Sequence, residues 1–289
     1  MFWKKKKPLH ANVKVIKRKP ISTAVKHRQD PIENSETMVS TSNSAHVQKT
    51  KHQTLDYHKE FLNTFRKLTY RHHSLAVWHD FITMFACSLS NPLDKTHRDK
   101  REKLYLKIIQ QYRKDEQELF PQLAAQTILA LDENPEQDFL GSLFMSLDLG
   151  NDRNGQFFTP YHICELMSEI TINDPIKEIK ENGYISINDC CCGAGATLIA
   201  GVHTIKRKLE SVNLNYQNHV LVVAQDIDET VGLMCYIQLS LLGVAGCVKI
   251  GNTLTDPISS NDSKENYWYT PMYFSHVWTM RRLIQNIFN

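Results

Sequence analysis

Asp189-Cys190-Cys191-Cys192-Gly193-Ala194-Gly195 is the stretch of this sequence whose residue types and spacing best suit chemistry. A D-x-x-x-G-x-G turn leading from a strand into a helix does two things. Its glycines let the backbone approach a ligand where a Cβ would collide, and the helix that follows presents unpaired N–H groups beside it. The same glycines also suit the tight packing of a strand–helix turn, so the turn taken alone leaves ligand binding and packing open. Further along, Val222-Val223-Ala224-Gln225-Asp226 ends in a carboxylate. In nucleotide-binding α/β folds, an acidic residue at the tip of the second strand accepts hydrogen bonds from ribose hydroxyls. The alternative is a helix cap from Asp226 or Asp228, with Asp228 the better placed for capping and Asp226 for a ribose. Gly251-Asn252-Thr253 closes a third strand, where the Asn252 side chain either reaches an adenine edge or makes a simple turn. Upstream, in Gly155-Gln156-Phe157-Phe158-Thr159-Pro160, Thr159 reads as an N-cap and Pro160 as the first helical residue. Such a capped N-terminus suits a carboxylate or phosphate, or is an ordinary cap beside two core phenylalanines.

Other chemistries find little support. The three consecutive cysteines lack C-x-x-C spacing and have no histidine at ligand spacing, so no metal site is expected. Adjacent His72 and His73 point to different helix faces. There is no nucleophile elbow, P-loop or H-E-x-x-H.

The elements that must position these residues follow from apolar periodicity. Phe61, Phe65, Leu68, Leu75, Trp78, Ile82, Phe85 and Leu89 mark one or two amphipathic helices with a break near Tyr70–His73, stopped by Asn91-Pro92. Helical patterns recur over about 99–112, 121–131 and 139–147. After Gly150 short apolar runs alternate with helices: a strand at 184–187, a helix at 197–209, a strand at 219–224, a helix at 229–242 and a strand at 247–250. This order argues an α/β architecture with a parallel sheet.

With 42% hydrophobic and 22% charged residues over 289 positions, the chain can bury a sizeable core. No apolar run reaches membrane-spanning length, and the lysine-rich start lacks the apolar stretch of a signal peptide. Seven cysteines, three of them in a row, argue a reducing, cytoplasmic compartment. Residues 1–51 hold 12 Lys/Arg against 3 Asp/Glu, whereas the rest of the chain is mildly acidic. The expected division is a basic, disordered tail (1–51), a helical domain (52–149) and the α/β domain (150–289). A basic tail can contact nucleic acid or an acidic surface, or be a solvated leader.

Taken together, these residues resemble the N6-adenine DNA methyltransferases, in particular the modification (M) subunit of type I restriction-modification systems. Asp138-Phe139-Leu140-Gly141, Leu149-Gly150-Asn151 and Gly155 to Pro160 look like the family's lead-in to its catalytic domain, which lies against S-adenosylmethionine (SAM). Asp189 to Gly195 looks like the glycine-rich SAM loop, Gln225-Asp226-Ile227-Asp228 like the ribose-binding motif, and Gly251-Asn252-Thr253-Leu254 like the adenine-side motif. The resemblance spans residues 138–256. It implies a Rossmann-like SAM-dependent methyltransferase fold preceded by a helical domain. It further implies SAM as cofactor, bound by Phe158, Thr159, Asp189, Gly193, Gly195, Asp226, Ile227 and Asn252, with DNA as substrate and a specificity or second methylase subunit as partner. The implied activity is methyl transfer to an extruded adenine.

The sequence departs from the family pattern in several places. Cys190 stands where proline is common, Ala196 where glycine is, and Asn252 where the family has aspartate. The (Asp/Asn/Ser)-Pro-Pro-(Tyr/Phe) loop that holds the target amino group has no counterpart. Thr255-Asp256-Pro257-Ile258 and Tyr269-Thr270-Pro271-Met272-Tyr273 are the nearest segments. No catalytic residue is therefore assigned, and a catalytically silent SAM-binding accessory module or a truncated methylase is the alternative. Only three strands are clear, so the implied sheet is incomplete. The edge of its first strand must then be covered by Tyr267–Phe274 as an added strand, by the N-terminal helices or by a partner chain. The aromatic residues from Tyr267 to Trp278 suit packing, or, with Arg281 and Arg282, stacking on bases.

Overall fold

In the computed structural model, residues 56–149, 158–259 and 261–285 are described. The expected tail (1–51) and the Gly155–Phe157 part of the lead-in motif lie outside them.

Helix α1 (Tyr57–Thr69) begins where the Asp56 carboxylate accepts a hydrogen bond from the Lys59 amide at 3.1 Å. It buries Phe61, Phe65 and Leu68 on one face, and each such side chain contributes roughly 1.5–3 kcal/mol of burial. The expected break falls at Tyr70–His73, and α2 (Ser74–Ser90) ends against Asn91. After α3 (Arg98–Ile109) come the single turn α4 (Lys114–Gln117), α5 (Leu119–Glu133) and α6 (Phe139–Ser146).

The α/β part opens with α7 (Tyr161–Thr171) and α8 (Pro175–Asn182). Then β1 (Ile185–Asp189), α9 (Ala196–Glu210), β2 (Val220–Asp226), α10 (Glu229–Leu241) and β3 (Ala245–Ile250) alternate as anticipated. A short β4 (Tyr267–Tyr269) and α11 (His276–Gln285) follow. The sheet order is β1-β2-β3-β4, with the first two pairings parallel and the last antiparallel. The fold class is thus mixed α/β, built on a four-stranded sheet. Register places Asp189 opposite Ala224, and Asp226 opposite Ile250.

Alternate residues of the strands face opposite ways. Val220, Val222, Ala224 and Val248 enter one apolar cluster shared with α1, α2, α6, α9 and α10. Leu221 and Ala245 instead meet Tyr273 and Trp278 on the other face. Helices α1, α2, α3, α5 and α6 therefore share a core with the sheet, and residues from Gln53 onward make one compact unit. Arg101 of α3 is a further tie. Its guanidinium is buried 3.7 Å from the centre of the Trp268 ring and donates to the Tyr267 carbonyl, to Asp94 and to Ser90.

The strand at Tyr267, one of the three candidates for covering the β1 edge, lies on the far side of the sheet from that edge. It pairs with β3, so β1 has no second strand partner among the described residues. The cause is local: the Thr270 hydroxyl donates to the Val244 carbonyl at 2.7 Å and accepts from the Gly246 amide at 2.9 Å, fixing this segment to the start of β3. Helix α7, packed on α9, buries Cys164 and Ser168 but leaves Ile163, Leu166, Met167 and Ile170 exposed, spaced as one helix face. The aromatic segment before the end of the described chain is packed. Trp278 is buried, its indole N–H donates to the Gln217 carbonyl, and the Arg281 and Arg282 guanidinium groups lie over the Trp278 and Tyr273 rings. No described helix is long and apolar enough to cross a membrane.

Candidate functional site

The turn from β1 into α9 is held on both sides by Asp189. One carboxylate oxygen accepts from the Cys191 amide at 3.1 Å, and the other from the Thr197 hydroxyl at 2.6 Å. The Cys192 amide donates to the Gln225 carbonyl, which ties the turn to β2. Gly193 and Gly195 both have positive φ, at 56° and 98°, a conformation that glycine adopts without steric cost. A Cβ on Gly195 would also come within 2.9 Å of Cys235 Sγ on α10. At Gly195, then, the packing alternative has a physical basis of its own. Over Gly193 lies the Phe158 ring, stacked on Phe144 with centroids 5.7 Å apart.

Asp226 meets this turn directly. Its Oδ2 accepts from the Gly193 amide at 2.9 Å, and its Oδ1 from the Asp228 amide at 3.0 Å. Capping falls to Asp228, whose Oδ1 accepts from the Val231 amide at 3.1 Å at the start of α10. Asp228 thus takes the capping role that its position suggests, and Asp226 does not cap the helix. Burial raises the Asp226 pKa against the two amide bonds that would lower it.

A cavity opens beside the turn. Phe158, Thr159, Asp189 and Gly193 line it, together with Asp138, Cys191, Cys192 and Thr197. Gly195, Asp226, Ile227 and Asn252 are not among its lining residues. Asp226 borders it through its bond to Gly193, and Ile227 is exposed beyond the tip of β2. Asn252 follows β3, and its Oδ1 accepts from the Leu254 amide at 2.9 Å, so the side chain does build a turn. That loop reaches the glycine turn through the Thr253 hydroxyl, which donates to the Cys190 carbonyl at 2.6 Å.

Thr159 does not cap α7. Pro160 occupies the cap position with ψ of 137°, and no side-chain cap bond forms. Proline here is extended, so the helix starts one residue later than the Thr-Pro pattern suggests. The Thr159 carbonyl accepts from the Cys164 thiol instead.

Two polar residues that hold the site together were not singled out from sequence. Gln238 is fully buried on α10. Its amide nitrogen donates to Asp138 Oδ1 at 2.7 Å and to the Ala194 carbonyl at 2.9 Å, and its oxygen accepts from the Leu140 amide at 3.1 Å. It joins the lead-in segment to the glycine turn. Lys249, buried on β3, donates to both the carbonyl and carboxylate of Asp256 and to Asp262. Burial alone would lower its pKa, but the bonds to Asp256 and Asp262 outweigh it and the net shift is upward. The signal for both was a lone polar residue within an apolar run, which inside a core requires hydrogen-bond partners.

The cavity wall carries carboxylates at Asp138 and Asp189, with Asp226 adjoining, and no lysine, arginine or histidine among its described lining residues. It suits a ligand with positive charge and hydroxyl donors. Residues 146–289 match the protein family described as N-6 DNA Methylase. No curated protein and no solved structure matches the chain.

Proposed function

Residues 146–289 make the chain a member of the N-6 DNA methylase family, and on that premise we propose that it is a SAM-dependent DNA adenine-N6 methylase. The sheet then belongs to a Rossmann-like SAM-binding fold, with the cofactor held where β1 and β2 end. The observation that carries this reading is the 2.9 Å bond between Asp226 and the Gly193 amide. It brings the carboxylate and the glycine turn to one place, with each Asp226 oxygen keeping a lone pair for a ribose hydroxyl. Ile227 would lie on the adenine, and the Asn252 amide would meet its edge without charge assistance. Phe158 and Thr159 would enclose the methionine end, near Asp189. The wall, rich in carboxylates and without a cationic side chain among its described lining residues, fits this group, which carries a sulfonium and an ammonium. When bound, SAM supplies the methyl group as an electrophile. The protein's part is positioning, because an adenine must leave the base stack before its amino group can align with the sulfonium.

A specific observation favours a second reading, a SAM-binding accessory module. Both segments nearest to a base-holding loop are occupied structurally. Asp256 and Pro257 are engaged by Lys249, and Thr270 is buried with its hydroxyl committed to β3. The target amino group would then be held by a second methylase or specificity subunit. The side of β1 that no described strand pairs with and the exposed apolar face of α7 support such a partner. The basic stretch 1–51 would add sequence-independent attraction to DNA phosphates, in a cytoplasmic setting.

Tritiated-SAM transfer to mixed DNA, run with calorimetric titration of SAM, tests the proposal. Binding with sequence-dependent incorporation supports the methylase. Binding without incorporation, restored by cell extract, supports the accessory module. Absence of binding refutes both.

A further inference from the structure

We propose that Asp138 takes the ammonium group of the cavity's ligand and selects adenosyl compounds that carry an amino-acid end. The inference rests on the adenosyl-ligand reading above. Asp138 caps α6, and the structure spends only half of its carboxylate on that task. Oδ1 accepts from the Gly141 amide at 2.9 Å and from Gln238 at 2.7 Å. Oδ2 accepts no hydrogen bond from any described residue, although the residue is only 8% exposed and lines the cavity. The fit around it is close, since a Cβ on Gly141 would collide with the carboxylate.

A carboxylate this buried calls for a cation or for several donors. Its two donors are neutral amides, and no basic residue is among the described ones lining the cavity. Burial accordingly pushes its pKa upward, against both hydrogen bonds. The other carboxylate in the wall is already served, as both oxygens of Asp189 accept bonds from the turn. What Oδ2 lacks is an N–H donor bearing positive charge. A sulfonium has charge but no N–H, so the complementary group is an ammonium. Gln238 connects this recognition to the glycine turn, because the same amide nitrogen donates to Asp138 and to Ala194.

The test is calorimetric titration of the full chain and of Asp138→Asn with two ligands: S-adenosylhomocysteine, and 5′-methylthioadenosine, which lacks the amino-acid end. The expected result is at least a ten-fold loss of S-adenosylhomocysteine affinity in the variant, with methylthioadenosine within two-fold of wild type. Should the variant fold poorly, the wild type alone decides through the deamino analogue of S-adenosylhomocysteine, which should bind at least ten-fold more weakly than the parent. Equal losses for both ligands in the variant, or no penalty for the deamino analogue, would overturn the role of Asp138 while leaving the adenosyl site in place. A wild-type chain that binds neither ligand overturns the adenosyl reading, and this inference with it.

Discussion

Replacing Gln238 with leucine removes the amide that joins three segments while nearly preserving volume, so the cost comes from polar groups rather than from a cavity. Leu140 N–H and the Ala194 carbonyl are both buried and both lose a partner. A buried neutral group left without a partner costs about 1–3 kcal/mol. Asp138 keeps its bond from Gly141 but loses the one from Gln238, and hydrogen bonds to charged groups contribute about 1.5–3 kcal/mol. Allowing for partial relaxation, the total is roughly 3–6 kcal/mol, a large share of the ~5–15 kcal/mol that stabilises a typical domain. Each kcal/mol shifts the midpoint of a chain this size by about 2–4 °C, so Gln238→Leu should melt roughly 6–24 °C below wild type by circular dichroism. The variant's glycine turn should also bind S-adenosylhomocysteine more weakly, because Ala194 is released. A drop under about 3 °C, with unchanged affinity, would mean that Gln238 does not organise the site and would refute the reasoning.

Other perturbations reach the same network from different sides. Asp226→Ala should weaken S-adenosylhomocysteine binding by about 1.5–3 kcal/mol, the range for hydrogen bonds to a charged group. Asp226→Asn, which keeps one acceptor oxygen, should lose less; equal affinity of wild type and Asp226→Ala in calorimetry would remove Asp226 from the ribose role. Arg101→Met takes the guanidinium from the buried Asp94 carboxylate, leaving it the His97 contacts alone, and frees the Tyr267 carbonyl. Its expected cost is about 3–5 kcal/mol, the range for breaking a buried ion pair, and a melting point within 2 °C of wild type would contradict this. The pH dependence follows from sign. A carboxyl whose folded-state pKa is raised, as burial does to Asp138, contributes stability that is fullest below its unfolded value and declines as pH rises through the folded one. In the ligand-free chain, Asp138→Asn should therefore gain on wild type in thermal melts as pH increases from the ordinary carboxylate value of about 4; a gap that stays constant or reverses would contradict that shift.

Much of the architecture was legible because local periodicity carries it. The strands ending at Asp189, Asp226 and Ile250 and the helices between them follow from apolar runs and turn residues, and the division between Asp226 and Asp228 follows from their spacing to α10. Helix α8 was missed although its signals are present: Asp174 caps it, Pro175 opens it, and Gly183 closes it in the left-handed conformation. Its eight residues show too few turns for periodicity to stand out. The pairing of Tyr267–Tyr269 with β3 rather than β1 was not legible. It depends on Thr270 and on Arg101, which is remote in sequence but meets Tyr267. Gln238 and Lys249 escaped for the same reason, since a polar residue in an apolar run announces a need for partners without naming them. Asp138 was noticed only as part of a motif. Its place in the cavity wall, with one oxygen unbonded to any described residue, depends on how α6, α10 and the glycine turn come together.

The central claim is that the Asp189–Gly195 turn and Asp226 together hold an adenosyl ligand. Calorimetric titration of S-adenosylhomocysteine into the purified chain tests it most directly. Saturable one-to-one binding is expected, with Kd on the order of 1–100 μM, about −5 to −8 kcal/mol, and displacement by SAM. No heat of binding and no rise in melting temperature at millimolar ligand would contradict it.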